Sequence, residues 1–474
     1  MFRSMLSAPC KQHSGSLLNS NGGDAQQELD LRRGIGVISR REFVKTSVLG
    51  SAAAVATHTP LFGDTPAPAA GGEPRFGANY VPRKRWWFCW LDWDQQAIVD
   101  DLSGVAELGL DHIRAQCLWP FFQPDINTVS DRALSNLHSL LDAADKVGLD
   151  VEVTVLNGWM SGLEFIPAWV APLAYPFGDR KPGNMFTNPE TVEGEKLLFR
   201  RIVETVGTHR RFLGFDLGNE LDVLIQIPGC NPASIHDSDA WAKEMLRYVE
   251  EIAPNKLHVN GISHAPWWND FGFSREEVAT TGHASVVHSY LSDDTGGLER
   301  SDPALLHLAE YEVELAYAYQ TDLSRRVWVE ETNYTPAEFM EPMFRNIMAT
   351  GKAWGITWWC SHDIDPSIKS FDNGENDLGL LDLQNRPKPI GKKFAELVAE
   401  FRRSPPAIAR RKTALVIPDQ GLSTKPWPPD WKYAMPYMNL INRGLSPAIV
   451  LESRSKDEDY LKARGITDLI QSPG

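Results

Sequence analysis

Read from residue 76 to about 400, this chain keeps changing the period of its hydrophobic positions. Short runs rich in β-branched and aromatic residues alternate with longer stretches whose apolar positions recur every three or four residues, the pattern of strands feeding helices in a parallel sheet. Eight runs read as strands: Phe76–Tyr80, His112–Gln116, Val151–Leu156, Phe212–Gly218, Leu257–Gly261, Ser285–Tyr290, Val327–Glu331 and Gly355–Cys360. One unit occurs almost twice. AELGLDHIRAQ and DKVGLDVEVTV each bring a helix to a glycine, Gly109 or Gly148, and then enter a strand through Leu-Asp. Glycine suits the left-handed position just past a helix, where a Cβ would clash. Between the two units Leu134, Leu137, Leu141 and Ala144 mark one apolar helix face, and Asn188-Pro189 supplies an N-cap followed by proline at the first helical position. The fold class this predicts is α/β: a (β/α)₈ TIM barrel over residues 75–401, with long loops after its strands. An open doubly wound sheet is the competing fold, but the glycine-rich phosphate turn it normally carries is missing from the sequence.

The pattern changes at both ends. Residues 402–412, Arg-Arg-Ser-Pro-Pro through Arg-Arg-Lys, read as a basic linker, and residues 413–474 as a small β-α-β-α-β unit, either minimal or truncated, since the chain stops directly after a strand. Near the start, Ser39-Arg40-Arg41-Glu42-Phe43-Val44-Lys45 precedes a modest apolar stretch, Val48 to Ala56, that ends in the small-residue site Ala54-Val55-Ala56. Residues 1–56 thus read as a twin-arginine signal with a long n-region, and 57–74 as a flexible leader. An amphipathic N-terminal helix is the alternative. The apolar stretch is too short to span a bilayer. Twin-arginine cargo crosses the membrane folded, so the expected product is exported, periplasmic or extracellular, after folding in a reducing cytoplasm.

The formal charge of −15, without basic clusters, argues against nucleic acid or an anionic membrane as partner. Sixteen tryptophans, several in pairs (Trp86-Trp87, Trp267-Trp268, Trp358-Trp359), suit a site that stacks flat apolar faces, although each taken singly suits a core. Five cysteines show no metal-ligand spacing; the four beyond the signal are free thiols or two disulfides. HExxH, Walker and dinucleotide motifs are missing from the sequence, and neither cofactor nor metal is expected.

The chemistry rests on two glutamates. RRFLGFDLGNELD puts Asn219-Glu220 at the end of the fourth strand, and RRVWVEETNY puts Glu331 at the end of the seventh. In a barrel, strand ends build the site, and two facing carboxyls are what glycoside hydrolysis needs. Glu330 competes with Glu331. Strict alternation puts Val327, Val329 and Glu331 on one face and Trp328 and Glu330 on the other, which favours Glu331.

With these pieces in place, residues 76 to 400 resemble glycoside hydrolase family 5, in the clan of (β/α)₈ retaining enzymes. The matching pieces run in order: Gly77-Ala78-Asn79-Tyr80, Ile113-Arg114 with Trp119-Pro120, Leu217-Gly218-Asn219-Glu220, His288-Ser289-Tyr290, Val327 to Thr332, and Gly355 to Trp359. The resemblance implies Glu220 as acid/base and Glu331 as nucleophile. It gives Arg114 the task of keeping Glu331 ionised, Tyr290 a hydrogen bond to it, and Asn219 the sugar 2-hydroxyl. His288 would line the pocket or orient the acid/base, and Trp359 would floor the −1 subsite. Trp119 and Asn157 complete the substrate-binding set, although Asn157 stands where many members carry His, and Thr332-Asn333 replaces a frequent aromatic-Gly pair. Near neutral pH Glu331 would be ionised and Glu220 protonated. The GANYVPRKRWWFCWLDWD, Leu118-Trp119-Pro120 and NMFTNPE stretches look most like the β-mannosidase branch, and long loops at 157–188, 221–237 and 361–386 favour exo-action. The partner is then an oligosaccharide or polysaccharide. An endo-β-1,4-mannanase or β-glucanase is the alternative within this class, and a non-catalytic carbohydrate-binding barrel the alternative outside it. The C-terminal unit loosely resembles the start of the amidotransferase-like accessory domain of some large glycosidases.

Overall fold

A computed structural model describes residues 73–170, 183–227, 231–269, 271–290, 298–299, 302–333, 337–368, 375–423 and 431–472. The expected signal segment, most of the leader, Cys10 and Cys230 lie outside these residues. Seven parallel strands form one sheet: β1 (Arg75–Tyr80), β2 (His112–Leu118), β3 (Asp150–Asn157), β4 (Phe212–Asp216), β5 (Ala284–Tyr290), β6 (Arg326–Asn333) and β7 (Ala353–Trp358). Their spatial order is β4-β3-β2-β1-β7-β6-β5, so the first strand pairs with both the second and the last and the sheet curls on itself.

The fifth expected strand, Leu257–Gly261, is the exception. It is an extended segment rather than a regular strand, yet it fills the gap between β4 and β5. Leu257 N–H donates to Leu213 O (2.9 Å), Val259 N–H to Phe215 O (2.8 Å), and His283 N–H, just before β5, to His258 O (2.8 Å). The cause is local. A Cβ on Gly214 would sit 1.6 Å from Leu257 O, so only glycine lets the segment come this close. Farther along the same pair of staves Leu217 N–H donates to Val259 O (3.0 Å), and the Asp216 side chain takes the Gly261 N–H (2.7 Å). With this stave the architecture is a (β/α)₈ barrel.

Local chemistry explains the helices. Gly109 (φ 78°) and Gly148 (φ 87°) adopt the left-handed conformation expected of them. Asp94, Ser130 and Asn188 cap the helices Gln95–Glu107, Asp131–Val147 and Pro189–Val206 through side-chain oxygens, and Ser234 with Asp237 forms a capping box for Ile235–Ile252. Along each strand alternate residues face opposite ways. Phe76, Ile113, Val151, Val153, Val327, Val329 and Ile356 join Leu134, Leu137, Leu141 and Ala144 in the core between sheet and helices. The other face fills the barrel. Its lower layer is apolar, with Leu257, Val259, Val286, Trp328 and Trp354. Toward the C-terminal strand ends it turns polar and stays buried: Asn79, Arg114, Gln116, Glu152, Thr154, Asp216, His288 and Glu330.

Beyond the helix Pro389–Arg403 the basic stretch does not hang free. Arg411 is buried and pairs with Glu310 (2.6 Å) and Glu314 (3.2 Å) of the helix Leu308–Tyr319. That helix is buried along its whole length, because one side meets the barrel and the other the C-terminal unit. The unit itself has parallel strands β8 (Thr413–Ile417), β9 (Ala448–Leu451) and β10 (Asp468–Gln471) in the order β9-β8-β10, with helices Ala434–Asn442 and Glu458–Ala463 between them. Cys89, Cys117 and Cys360 are buried and free. Among the described residues no helix is long and apolar enough to cross a membrane.

Candidate active site

Glu220 and Glu331 meet at the C-terminal mouth of the barrel. Glu220 follows β4 in a left-handed conformation (φ 47°) that aims its side chain away from the strand direction. For a residue with a Cβ this conformation costs on the order of 1 kcal/mol, and such positions cluster at functional sites. Glu331, on β6, is held at both oxygens: Arg114 Nη1 donates to Oε1, and the Tyr290 hydroxyl donates to Oε2 at 2.7 Å. His288 stands between the two carboxyls, its Nδ1 2.9 Å from Glu220 Oε1 and 3.5 Å from Glu331 Oε2. One ligand atom from each of these three side chains lies within 4.8 Å of the other two. Such a trio is close enough for a metal ion; both Glu331 oxygens already accept from Arg114 and Tyr290 and Glu220 Oε1 lies against His288, an arrangement that suits acid–base chemistry.

Of the nine residues expected at the site, Glu220, Glu331, Asn219, Tyr290 and Trp359 present surface, while Arg114, His288, Asn157 and Trp119 are fully buried. Asn219 accepts from Arg114 Nη2 (3.0 Å) and donates to Trp159 O (3.0 Å). Trp359 lies in an apolar bed with Trp86, Trp87, Leu118 and Met160, its ring 5.9 Å from that of Trp87. Arg114 and His288 do not reach the open surface and serve the carboxylates instead. Asn157 is one step farther back, donating to Gln116, which donates to Asn79, the acceptor for Arg114. Trp119 is a correction: its N–H is spent on Gln123 (3.0 Å) and its ring packs edge-on against Trp169, so it belongs to the core and not to the site.

Strand β6 does not keep the strict alternation expected of it through Glu331. Val327 and Val329 face the helices, and strict alternation would send Glu331 out with them. A register shift intervenes: Val287 pairs with Val329 but His288 pairs with Glu331, so β6 holds one extra residue at Glu330. Both glutamates therefore turn inward. Glu330 Oε2 lies 3.0 Å from His288 Nε2 and 3.4 Å from Arg114 Nη2, below the mouth and fully buried.

Three more carboxyls escaped the sequence reading. Asp216 binds Arg114 Nη2 at 2.5 Å, and burial, with the charge of Glu330, pushes it up to about 6. Glu152 lies beside Glu330 and is pushed well above the usual carboxylate range by burial and by the charges of Glu330 and Asp216. Both were visible as polar residues in phase with Arg114-type positions on otherwise apolar strands (Val-Glu-Val-Thr-Val, Gly-Phe-Asp). Glu375, in the loop after β7, hydrogen-bonds Ser161 and the Trp359 side chain; burial and the charges of Glu331 and Glu220 push it up to about 7. No strand pattern marks a loop residue of this kind.

The expected division of charge, with Glu331 ionised and Glu220 protonated, meets a third titratable group between the two carboxyls, His288. Burial of the charged ring works against it, but Glu331, Glu220 and Glu330 together hold the His288 pKa up to about 10. Against the cost of burial, the His288 hydrogen bond holds Glu220 below its ordinary range, while burial raises Glu331 against the pull of His288 and Arg114. Glu220 and His288 thus share one hydrogen bond of 2.9 Å whose two ends are shifted in opposite directions, and the groups titrate together.

No family model and no curated protein matches this chain. Solved structures do. A glutamate-to-alanine variant of a GH5_18 enzyme from Streptomyces cattleya, in complex with Manβ1-4GlcNAc, is 35% identical over 84% of this chain and 99% of that chain, with a TM-score of 0.79. A variant of a GH5_18 enzyme from Bifidobacterium longum subsp. longum, with the same disaccharide, is 29% identical over 85% of this chain and 96% of that chain (TM-score 0.77). An exo-β-1,4-mannosidase from Opitutaceae bacterium strain TAV5 is 26% identical over 80% of this chain and 69% of that chain (TM-score 0.65).

Proposed function

This chain belongs to glycoside hydrolase family 5, on its mannosidase-like branch, and from that premise we propose that it releases a terminal β-mannosyl residue with retention, taking Manβ1-4GlcNAc as a substrate. The observation that carries the reading is the pairing of a pinned carboxylate with a more open one. Glu331 has both oxygens fixed by Arg114 and Tyr290, as a nucleophile requires, whereas the Glu220 side chain is 18% exposed and faces the mouth. Their close approach through His288 suits the retaining separation of about 5 Å rather than the wider inverting one.

In the first step a Glu331 oxygen attacks the anomeric carbon as the glycosidic bond breaks, and Glu220 hands its proton to the departing oxygen. In the second, Glu220 takes a proton from water, the water oxygen attacks the anomeric carbon, and the bond to Glu331 breaks. Asn219 lies where a sugar 2-hydroxyl would approach, and Trp359 supplies a flat apolar floor. The Arg40-Arg41 motif supports export by the twin-arginine route, and three free buried cysteines are compatible with folding in a reducing cytoplasm before it. The test is hydrolysis of Manβ1-4GlcNAc, β-1,4-mannan and aryl β-glucoside side by side. Release of mannose from the disaccharide, first as the β-anomer, supports the proposal; cleavage of mannan into internal fragments, or the α-anomer first, contradicts it.

A further inference from the structure

His288 is gripped at both ring nitrogens by carboxyls from different parts of the barrel: Nε2 lies 3.0 Å from Glu330 Oε2, and Nδ1 lies 2.9 Å from Glu220 Oε1. A neutral imidazole has one N–H and one lone pair, so it serves one such acceptor; the second gap needs a further proton, on the ring or on the carboxyl. The surroundings decide which carboxyl stays an anion. Glu330 faces Arg114 Nη2 at 3.4 Å and lies against the carboxyl of Glu152. Both Glu152 oxygens and Glu330 Oε1 are buried and otherwise without a hydrogen-bond partner. Burial and the charges of Glu330 and Asp216 push Glu152 well above the usual carboxylate range, so its carboxyl is the one suited to donate into this contact. Glu330 is thus surrounded by donors, while Glu220 is the carboxyl open to solvent and substrate.

We propose that Glu330 is a positioning residue acting through His288: it fixes the proton on Nε2, so that one movable proton occupies the gap between Nδ1 and Glu220 and becomes the proton given to the leaving group. This rests on Glu220 being the acid/base. In the free enzyme the proton sits on His288. A bound sugar strips water from Glu220, the separated charges lose solvation, and the proton crosses to Oε1. Donation breaks that O–H bond as the glycosidic C–O bond breaks; the leaving group departs as an alcohol, the ester to Glu331 forms, and Glu220 is left anionic against the Nδ1 lone pair. That contact raises its basicity for the proton that water supplies in the second step. The other groups facing this set are Arg114 on β2, Asp216 on β4, Tyr290 on β5, Glu331 on β6, Asp222, pushed up to about 6 by burial, His264, pushed down to about 4 by burial, and Glu312 and Glu375, each pushed up to about 7 by burial. None of them contacts Nε2 in place of Glu330.

The test compares kcat/KM against pH for the wild type, Glu330→Gln and Glu330→Asp on phenyl and dinitrophenyl β-mannosides. Glutamine still accepts the Nε2 proton but removes the anion. We expect the alkaline limb of Glu330→Gln to move toward acid by about one pH unit or more. The phenyl substrate should lose roughly 10- to 100-fold and the dinitrophenyl substrate roughly threefold or less, because only the former needs the acid. Glu330→Asp should restore the limb. An unmoved limb in Glu330→Gln, or equal losses on both substrates, overturns the proposal. Should Glu330→Gln not fold, ¹⁵N NMR of the wild-type His288 ring decides: both nitrogens protonated near pH 8 is expected, and one bare nitrogen contradicts it. Failure of the Glu220 assignment itself would show separately, as the lack of azide rescue in Glu220→Ala.

Discussion

Under the mouth of the barrel, Glu152, Asp216, Glu220, Glu330 and Glu331 surround Arg114 and His288; at the seam with the C-terminal unit, Arg411, Arg464 and Lys352 surround Glu310 and Glu314. Both groups are buried, and both draw on glutamates and arginines. They differ in balance. In the first, carboxyls outnumber cations, so burial cannot be offset by pairing alone: burial pushes Glu152 up, and the surrounding carboxyls hold His288 up. In the second, cations outnumber carboxyls. Against the cost of burial Lys352, Arg411 and Arg464 hold Glu314 below its ordinary range, and burial pushes Lys352 down to about 8. A surplus of buried acid keeps protons ready to move, whereas a surplus of buried cation locks carboxylates as anchors. The first arrangement does chemistry, and the second fastens one part of the chain to another.

The contrast is broken most strongly by removing a catalytic carboxyl. Glu331→Ala and Glu220→Ala should each lower turnover of Manβ1-4GlcNAc by about three orders of magnitude or more. Azide should accelerate both variants on a dinitrophenyl β-mannoside, giving the β-glycosyl azide with Glu220→Ala, by attack on the glycosyl-enzyme, and the α-glycosyl azide with Glu331→Ala, by direct displacement. Glu330→Ala should cost less than either, since Glu330 reaches the reacting groups only through His288 and Arg114. At the seam the effect should appear in stability and not in catalysis. Glu314→Ala leaves Arg411, Arg464 and Lys352 without their shared partner and should destabilise by roughly 3–5 kcal/mol, with kcat kept wherever the variant is folded. Denaturant melts and kinetics on the same preparation check this.

The seam also has a pH signature. A carboxyl held below its unfolded value contributes stability that is present above that value and is lost as pH falls through the folded one. The stability gap between wild type and Glu314→Gln should therefore be full above the ordinary glutamate value of 4.5 and close as the pH drops below it. A gap that widens on acidification would contradict the anchor reading. Smallest of all, Trp119→Phe should leave KM unchanged and cost only stability, through packing and the lost hydrogen bond to Gln123, because the indole faces Trp169 and Gln123; a raised KM would return Trp119 to the site.

Most of this architecture was legible from short-range pattern, and the failures have physical reasons. Gly109 and Gly148 announced helix ends because a left-handed residue leaves few choices of side chain. Leu257–Gly261 read as a strand because its composition is that of one; it closes the barrel because Gly214 admits its backbone and the Asp216 side chain takes the Gly261 N–H, contacts that no window around the segment contains. Glu330 and Glu331 could not be told apart by period, since one extra residue in β6 brings both inward. Trp119 illustrates the opposite error: it belonged to a motif near the site, but tertiary packing turned its ring into the core. Glu152 and Asp216 were in plain view as polar residues facing inward on buried strands, and their importance appears only once the barrel brings them around Arg114.

The two-glutamate assignment is tested most directly by trapping the covalent intermediate. The enzyme would be incubated with a 2-deoxy-2-fluoro-β-mannosyl fluoride, digested, and the labelled peptide fragmented by tandem mass spectrometry between Glu330 and Glu331. We expect a single adduct on Glu331, formed at the rate of inactivation and released on turnover with acceptor. An adduct on Glu330, or inactivation without any adduct on this strand, would contradict the assignment of Glu331 as the nucleophile.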